Sequence, residues 1–381
     1  MPLKERITAE FVNRFHEVPT YIVRAPGRVN LIGEHTDYNE GFVLPMAINR
    51  AIWIALRPRH DRQVALYSLD FDQEDSFFLD EFQNRGSGWV EYLKGIAWAL
   101  REAGYGIQGW EGIIAGDIPQ GAGLSSSAAV EIAAARAFAV VSDISWDPKA
   151  MAKIGHKAEN DWVGIKCGIM DQMISAAGKA GCALLIDCRT LETQLTPLPT
   201  DTSIVVLDTA TRRELVDSVY NERRAQCEAA ARFFDVPALR DLSLEKFELR
   251  AEHINPMIRR RARHVITENL RTLQAAEAMI KADAVKLGQL FNASHSSLKD
   301  DFNVSSQELD LIVELARGQS GCLGARMTGA GFGGCGVALV KVESADVLKS
   351  NISKAYRQKT GYKPDIYICS ATSGAELIEI G

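Results

Sequence analysis

Residues 119–138, PQGAGLSSSAAVEIAAARAF, set two glycines and three consecutive serines before a run of alanine and other good helix formers. A helix start leaves its first N–H groups without intrahelical partners and carries a partial positive charge, so it attracts anions. Gly121 and Gly123 let the backbone approach a ligand closely. Ser125, Ser126 and Ser127 add hydroxyls able to bond a phosphate or ligate a hard cation. The competing reading is a glycine turn and a serine N-cap that simply open a helix. If the loop cradles a triphosphate, a Mg²⁺ ion needs a hydroxyl and a carboxylate nearby, which Ser127 and Glu159 in KAENDW could supply. A solvated helix charge is the alternative for Glu159.

Transfer of a phosphoryl group to a hydroxyl also needs a carboxylate within reach of the attacking oxygen and a cation to balance charge. Asp171, after Cys-Gly-Ile-Met, is the candidate carboxylate, with an ordinary helix N-cap as its other reading. Arg28 is the candidate cation, against a surface ion pair. Glu34, His35 and Asp37 crowd three polar side chains into four residues, which suits a polyhydroxylated ligand; turn formation by Asp37-Tyr38-Asn39 competes. Trp89 and Tyr92 share one helix face and read either as core packing or as neighbours of an adenine ring. MIRRRARH, 257–264, reads as a solvated helix face, and His295 as structural.

The elements that must position these groups can be read from periodicity. Residues 1–16 form a helical pattern. YIVRAPGRVNLIGEHTDYN runs from a strand into a loop that holds Arg28, Glu34, His35 and Asp37. FVLPMAINRAIWIALRPR and QVALYSLD are strand-like, and WVEYLKGIAWALREAG is an apolar-periodic helix. GWEGIIAGDIP leads as a strand into the serine loop. DPKAMAKIGHKAENDWV is amphipathic, CGIMDQMISAAG holds a second glycine-led helix start, and CALLIDCRT is a strand. Beyond a boundary placed near residue 185, SIVVLDTAT is a strand and helical patterns fill roughly 212–320. GARMTGAGFGGCGVALVKV packs six glycines into a loop that ends in an apolar strand, and DIYICSATSG offers the last strand.

A chain of 381 residues exceeds the usual ceiling for one hydrophobic core, so two domains are expected. Hydrophobic content of 46%, charged content of 24% and a net charge of −6 match an ordinary globular protein. They offer no basic excess to hold nucleic acid or anionic lipid, so small molecules are the expected partners. Charges in MPLKERITAEF stand where a signal peptide needs an apolar core, and no run reaches the ~18 apolar residues of a membrane helix. A cytoplasmic protein is expected. Seven scattered cysteines without a C-x-x-C pair suit reduced thiols rather than a disulfide framework or zinc site.

Three motifs carry a family resemblance. GRVNLIGEHTDYN is similar to the galactokinase signature. PQGAGLSSSAA resembles the phosphate loop of the wider GHMP small-molecule kinases, and RMTGAGFGGCGVAL resembles their C-terminal motif, all in the family's order. AENDWVG, IKCGIMDQ and SVYNERR match galactokinases too, so the resemblance spans nearly the whole chain. It implies an α/β (α+β) fold of two domains with mixed sheets, residues 1–185 and 186–381, and an active site in the cleft between them. It further implies ATP-dependent phosphorylation of α-D-galactose at the C1 hydroxyl, giving galactose 1-phosphate and ADP in galactose metabolism.

Carried over residue by residue, the resemblance implies Asp171 as catalytic base and Arg28 as stabiliser of the transition state. It implies sugar contacts from Glu34, His35, Thr36, Asp37, Gly168 and Tyr220. ATP would lie on Gly121, Ala122, Gly123, Leu124, Ser125, Ser126 and Ser127, its adenine against Trp89 and Tyr92, with Mg²⁺ on Ser127 and Glu159. One departure is Ala330 in TGAGFGG, where many relatives carry glycine. A catalytically silent galactose and ATP sensor, or a kinase for a related sugar such as N-acetylgalactosamine, are the alternatives. The uninterrupted SSSAA, with Ala128 and Ala129 present, argues against the sensor, since a known sensor type lacks two residues there. A monomer or weak homo-oligomer is expected.

Overall fold

The computed structural model describes residues 1–83, 86, 88–119, 121–211 and 216–379, and for residues 216–218 the backbone alone. The chain opens with helix α1, Leu3–Phe15, and strand β1, Tyr21–Asn30. Strands β2 (Phe42–Val43), β3 (Pro45–Pro58), β4 (Gln63–Ser68) and β5 (Gln73–Phe78) follow. Helix α2, Val90–Glu102, precedes β6, Trp110–Gly116. Helices α3 (Ser126–Val141), α4 (Pro148–Lys157) and α5 (Met170–Ala177) are interrupted by a π-helical turn at Ala158–Val163.

Strands β7 (Cys182–Asp187), β8 (Thr193–Pro197) and β9 (Thr202–Asp208) lead into a helical stretch. That stretch holds α6 (Val216–Phe234), α7 (Leu244–Arg250), α8 (Pro256–Ile280), α9 (Ala284–Ser297) and α10 (Gln307–Arg317). Strands β10 (Cys322–Thr328) and β11 (Cys335–Lys341), helix α11 (Ala345–Thr360), and strands β12 (Asp365–Cys369) and β13 (Glu376–Ile378) complete it.

The expected mixed architecture is present. A six-stranded sheet runs β13-β1-β3-β6-β4-β5, antiparallel apart from the parallel β4–β6 pair. A four-stranded sheet runs β10-β11-β9-β12, and β2, β7 and β8 form a third. Strand β7 passes through residue 185, and β13 returns the chain's end to the first sheet. Among the described residues no helix is long and apolar enough to cross a membrane.

Helix α3 is placed by small residues. Ala128, Ala129, Ala133, Ala134, Ala135 and Ala137 are all fully buried, so the helix is apolar on nearly every side and packs closely on β1 and β3. Strand β1 bulges between Pro26 and Arg28. A side chain at Gly27 would put a Cβ 2.7 Å from the Leu124 carbonyl, so glycine lets the serine loop dock there, and Arg28 N–H bonds that carbonyl at 3.1 Å.

Several expectations need correction. Arg28 stands in strand β1 rather than in the following loop, because pairing with β3 continues to Asn30. Helix α5 starts at Met170 with Ile169 at the cap position, so Asp171 lies inside the first turn and is not its N-cap. The run 257–264 is not a solvated face: Arg261 and His264 point into the protein. Arg261 donates to Gln226 Oε1, and His264 pairs with Ser297 and the Glu34 carbonyl. Strands β5 and β8 carry no apolar alternation in the sequence, because QEDSFF and TQLTP are largely polar and exposed. The start of the helical pattern, residues 212–215, lies outside the described residues.

Candidate active site

The serine loop alternates in its exposure. Ala122 and Leu124 bury their side chains, while Gly121 and Gly123 are exposed with φ of 67° and 72°. Only glycine takes such φ values without strain, and the result is bare backbone facing outward beside the start of α3. The Cys335 thiol donates to the Ala122 carbonyl at 2.8 Å, fixing the loop from β11. Ser125 sits at the cap position of α3 but makes no side-chain cap bond; its hydroxyl donates to Asp171 Oδ2.

Asp171 gathers the chemistry. Arg28 Nε and Nη2 donate to its two carboxylate oxygens, each at 2.7 Å, and Arg28 Nη1 donates to the Gly123 carbonyl at 2.5 Å. One guanidinium thus joins the candidate base to the glycine loop in a rigid fork that a lysine could not reproduce. The Arg28 side chain is 8% exposed and that of Asp171 27%, so the carboxylate still reaches the adjoining cavity.

That cavity, about 290 Å³, is lined by Arg28, Asn30, Glu34, His35, Asp37, Gly168, Asp171, Tyr220 and Ala330, among others. Asp37 accepts the backbone N–H of Tyr38 and its own, and burial, with the Asp171 charge adding, raises its carboxyl to about 6. Gly168 is required opposite it, because a Cβ there would fall 1.9 Å from Asp37 Oδ2. His35 has φ of 62°; its Nδ1 pairs with Tyr38 Oη at 2.9 Å and its Nε2 with the Ala330 carbonyl at 3.2 Å. A carbonyl partner makes Nε2 the protonated nitrogen, and burial lowers the ring to about 3, so His35 is neutral. Tyr220 reaches over from α6, its ring 5.5 Å from His35 and 5.1 Å from Tyr38.

The Glu34 carboxylate accepts four hydrogen bonds, from Asn30 Nδ2, Arg326 Nη2, Thr328 Oγ1 and Gly329 N. It therefore fastens the first loop to β10 and the glycine turn after it, besides facing the cavity. Arg326, wholly buried, also bonds the Leu31 carbonyl and Ser294. Glu268 from α8 accepts Gly33 N and Ser294 Oγ. Burial opposes its ionisation, yet Arg271, His264 and Arg326 together bring Glu268 down to about 2. The roles of Asn30, Arg326, Ser294 and Glu268 are not apparent in the sequence, although Asn30 lies inside the GRVNLIGEHTDYN motif and Arg326 opens RMTGAGFGGCGVAL.

Not every expected residue gathers here. The Thr36 hydroxyl is turned to the Gly33 and Phe42 carbonyls, within its own loop. Trp89 and Tyr92 stand at the start of α2 outside the cavity lining; Trp89 packs against the core and lies parallel to Phe71 at 6.4 Å. Gly121 to Ser127 adjoin the cavity through Arg28 and Ser125 without lining it. Glu159 lies in the π-helical turn, buried, and Ser127 bonds it. Burial raises its carboxyl above the usual range. His295 accepts Met327 N at 3.2 Å and is structural.

Three family models match this chain: "GHMP kinases N terminal domain" at 91–179, "GHMP kinases C terminal" at 275–358, and "Galactokinase galactose-binding signature" at 9–58. A mevalonate kinase from Methanococcus jannaschii aligns with a TM-score of 0.68 at 20% identity over 92% of this chain and 98% of its own, a likeness of fold alone. The fold is thus that of a GHMP small-molecule kinase. Lactococcus lactis galactokinase, solved with galactose, aligns with a TM-score of 0.95 at 37% identity over 99% of this chain and all of its own. A galactokinase of Roseiflexus sp. RS-1 is 45% identical over 96% of both chains. The chain belongs to the galactokinase family.

Proposed function

We propose that this protein transfers the γ-phosphoryl group of ATP to the C1 hydroxyl of α-D-galactose, with the site residues in the roles that follow. The observation that carries this reading is the Arg28 fork, which holds Asp171 between the sugar-sized cavity and the glycine–serine loop. Asp37, His35, Glu34, Gly168 and Tyr220 shape the sugar side; neutral His35 and the Asp37 carboxylate supply fixed polarity to ring hydroxyls. Gly121, Gly123 and the start of α3 take the phosphates on backbone N–H groups, with Trp89 and Tyr92 toward the adenine. Residues 1–185 and 186–381 act as two domains around this cleft.

Asp171 orients the C1 hydroxyl and accepts its proton as the C1 oxygen bonds the γ-phosphorus and the bond to the bridging oxygen of ADP breaks. Because that transition state is loose, positioning and charge matter more than base strength. Arg28, freed in part from Asp171 as the carboxylate takes the proton, stabilises charge on the equatorial oxygens.

The residues present fit a Mg²⁺ ion. Ser127 and Glu159 present adjacent oxygens, and among the described residues no group of three His, Cys, Asp or Glu could hold a metal alone. An ion completing its shell with phosphate oxygens and water matches that donor set. When bound, Mg²⁺ neutralises charge on the phosphate oxygens. The test is an ADP-release assay with galactose and Mg²⁺–ATP, the sugar product identified by phosphorus NMR. Galactose binding without turnover would refute the reading, as would higher catalytic efficiency on another sugar.

A further inference from the structure

Gln172 follows Asp171 on α5, but its side chain points the other way, into the protein, and is fully buried. Its amide nitrogen donates to two carboxyl groups at once: Glu159 Oε2 at 2.6 Å and Glu131 Oε2 at 3.0 Å. Glu131 is itself fully buried on α3, one turn beyond Ser127. One amide therefore bridges the helix that opens with the serine loop, the π-helical turn that carries Glu159, and the helix that carries Asp171. Space for it is made by Gly155 on α4, where a Cβ would lie 2.9 Å from Gln172 Cγ.

The Glu159 carboxyl takes the Gln172 amide, the Cys167 thiol at 3.0 Å and the Ser127 hydroxyl. A π-helical turn is an irregular element whose side chains need outside restraint. A second restraint on this turn is Trp162, whose indole N–H donates to Glu91 Oε2 at 3.0 Å, a residue also paired with buried Lys94. Such arrangements orient a ligand oxygen before the ion arrives.

We infer that Gln172 is a positioning residue: it fixes the Glu159 carboxylate for the metal ion, using Glu131 as its fixed second anchor. This rests on the reading of Ser127 and Glu159 as metal-holding residues. Gln172→Met keeps the volume and removes the two donated bonds. Glu131→Met removes the oxygen that anchors the amide on its other side.

The experiment is an electron paramagnetic resonance titration of the full chain with Mn²⁺ in the presence of ADP, alongside calorimetric binding of galactose. Gln172→Met weakens Mn²⁺ binding by about ten- to a hundredfold, the usual effect of removing a partner that orients a metal ligand. Galactose binding stays at the unmodified value, and Glu131→Met weakens Mn²⁺ binding in the same direction as Gln172→Met. Unchanged Mn²⁺ affinity in Gln172→Met overturns the inference, and unchanged affinity in Glu131→Met overturns the part given to Glu131. Glu159→Gln separates the two readings: if it leaves Mn²⁺ affinity intact, the metal assignment fails; if it weakens binding while Gln172→Met does not, only the positioning role fails. Should Gln172→Met not fold, Gly155→Ala, which crowds the Gln172 stem, serves in its place with the same direction of change and the same refuting result.

Discussion

Replacing Asp171 with asparagine tests the centre of the mechanism. The carboxylate accepts three donors in the structure, two from Arg28 and one from Ser125. Asparagine keeps one oxygen, and its NH₂ must face a donor, so at least one charge-assisted bond, worth about 1.5–3 kcal/mol, is lost along with the proton acceptor. General-base loss alone lowers rates by about 10²–10⁴-fold. Because the transition state is loose, the middle of that range is expected: kcat lower by about 10³-fold, or about 4 kcal/mol of barrier. The assay is coupled ADP release with both substrates saturating, with galactose affinity from calorimetry and a thermal melt to confirm folding. A kcat within about tenfold of the unmodified enzyme would refute Asp171 as the residue that takes the proton, since that lies below any base contribution.

Galactose affinity should depend on Asp37. With its carboxyl raised to about 6 by burial, and by the Asp171 charge after that, the ionised acceptor is lost as pH falls; galactose binding should weaken by about tenfold from pH 7 to pH 5, and that dependence should vanish in Asp37→Asn. The same shift has a stability sign. A carboxyl with a raised folded value contributes stability below its unfolded value, lost as pH rises through about 6, so Asp37→Asn should bind galactose poorly yet melt higher at pH 7.5, by on the order of 1 kcal/mol. Gly168→Ala forces a Cβ to within 1.9 Å of Asp37 Oδ2 and should raise the KM for galactose by about tenfold or more while leaving that for ATP unchanged; equal effects on both would contradict the placement of Gly168. Arg326→Met strips two buried carboxylates, Glu34 and Glu268, of their shared cation and should cost about 3–5 kcal/mol in denaturant unfolding, with a cost under about 1 kcal/mol counting against the network.

The parts of the site legible in the sequence were those where one short segment supplies both backbone and chemistry. Gly121, Gly123 and the serines announce a helix start with exposed backbone, and Glu34, His35 and Asp37 crowd one loop. The illegible parts join distant segments. Glu34 is read as a polar side chain in a polar motif, but its partner Arg326 lies 292 residues away at the head of a glycine-rich motif, where nothing local marks it as a buried partner for a carboxylate. Thr36 shares the motif with its neighbours, yet its hydroxyl is used to close the loop, a choice set by the Gly33 and Phe42 carbonyls and not by residue type. Arg28 reads as a loop residue because the polar motif that follows it carries no strand alternation, while strand pairing with β3 runs on past it to Asn30. The bulge at Gly27 reconciles the two: β1 keeps its ladder and still turns Arg28 toward Asp171, so rigid sheet rather than mobile loop holds the cation. That placement suits a reaction in which charge must be met by groups already in position, because a fork held by strand, helix and loop together needs no rearrangement of the fold when the phosphoryl group moves.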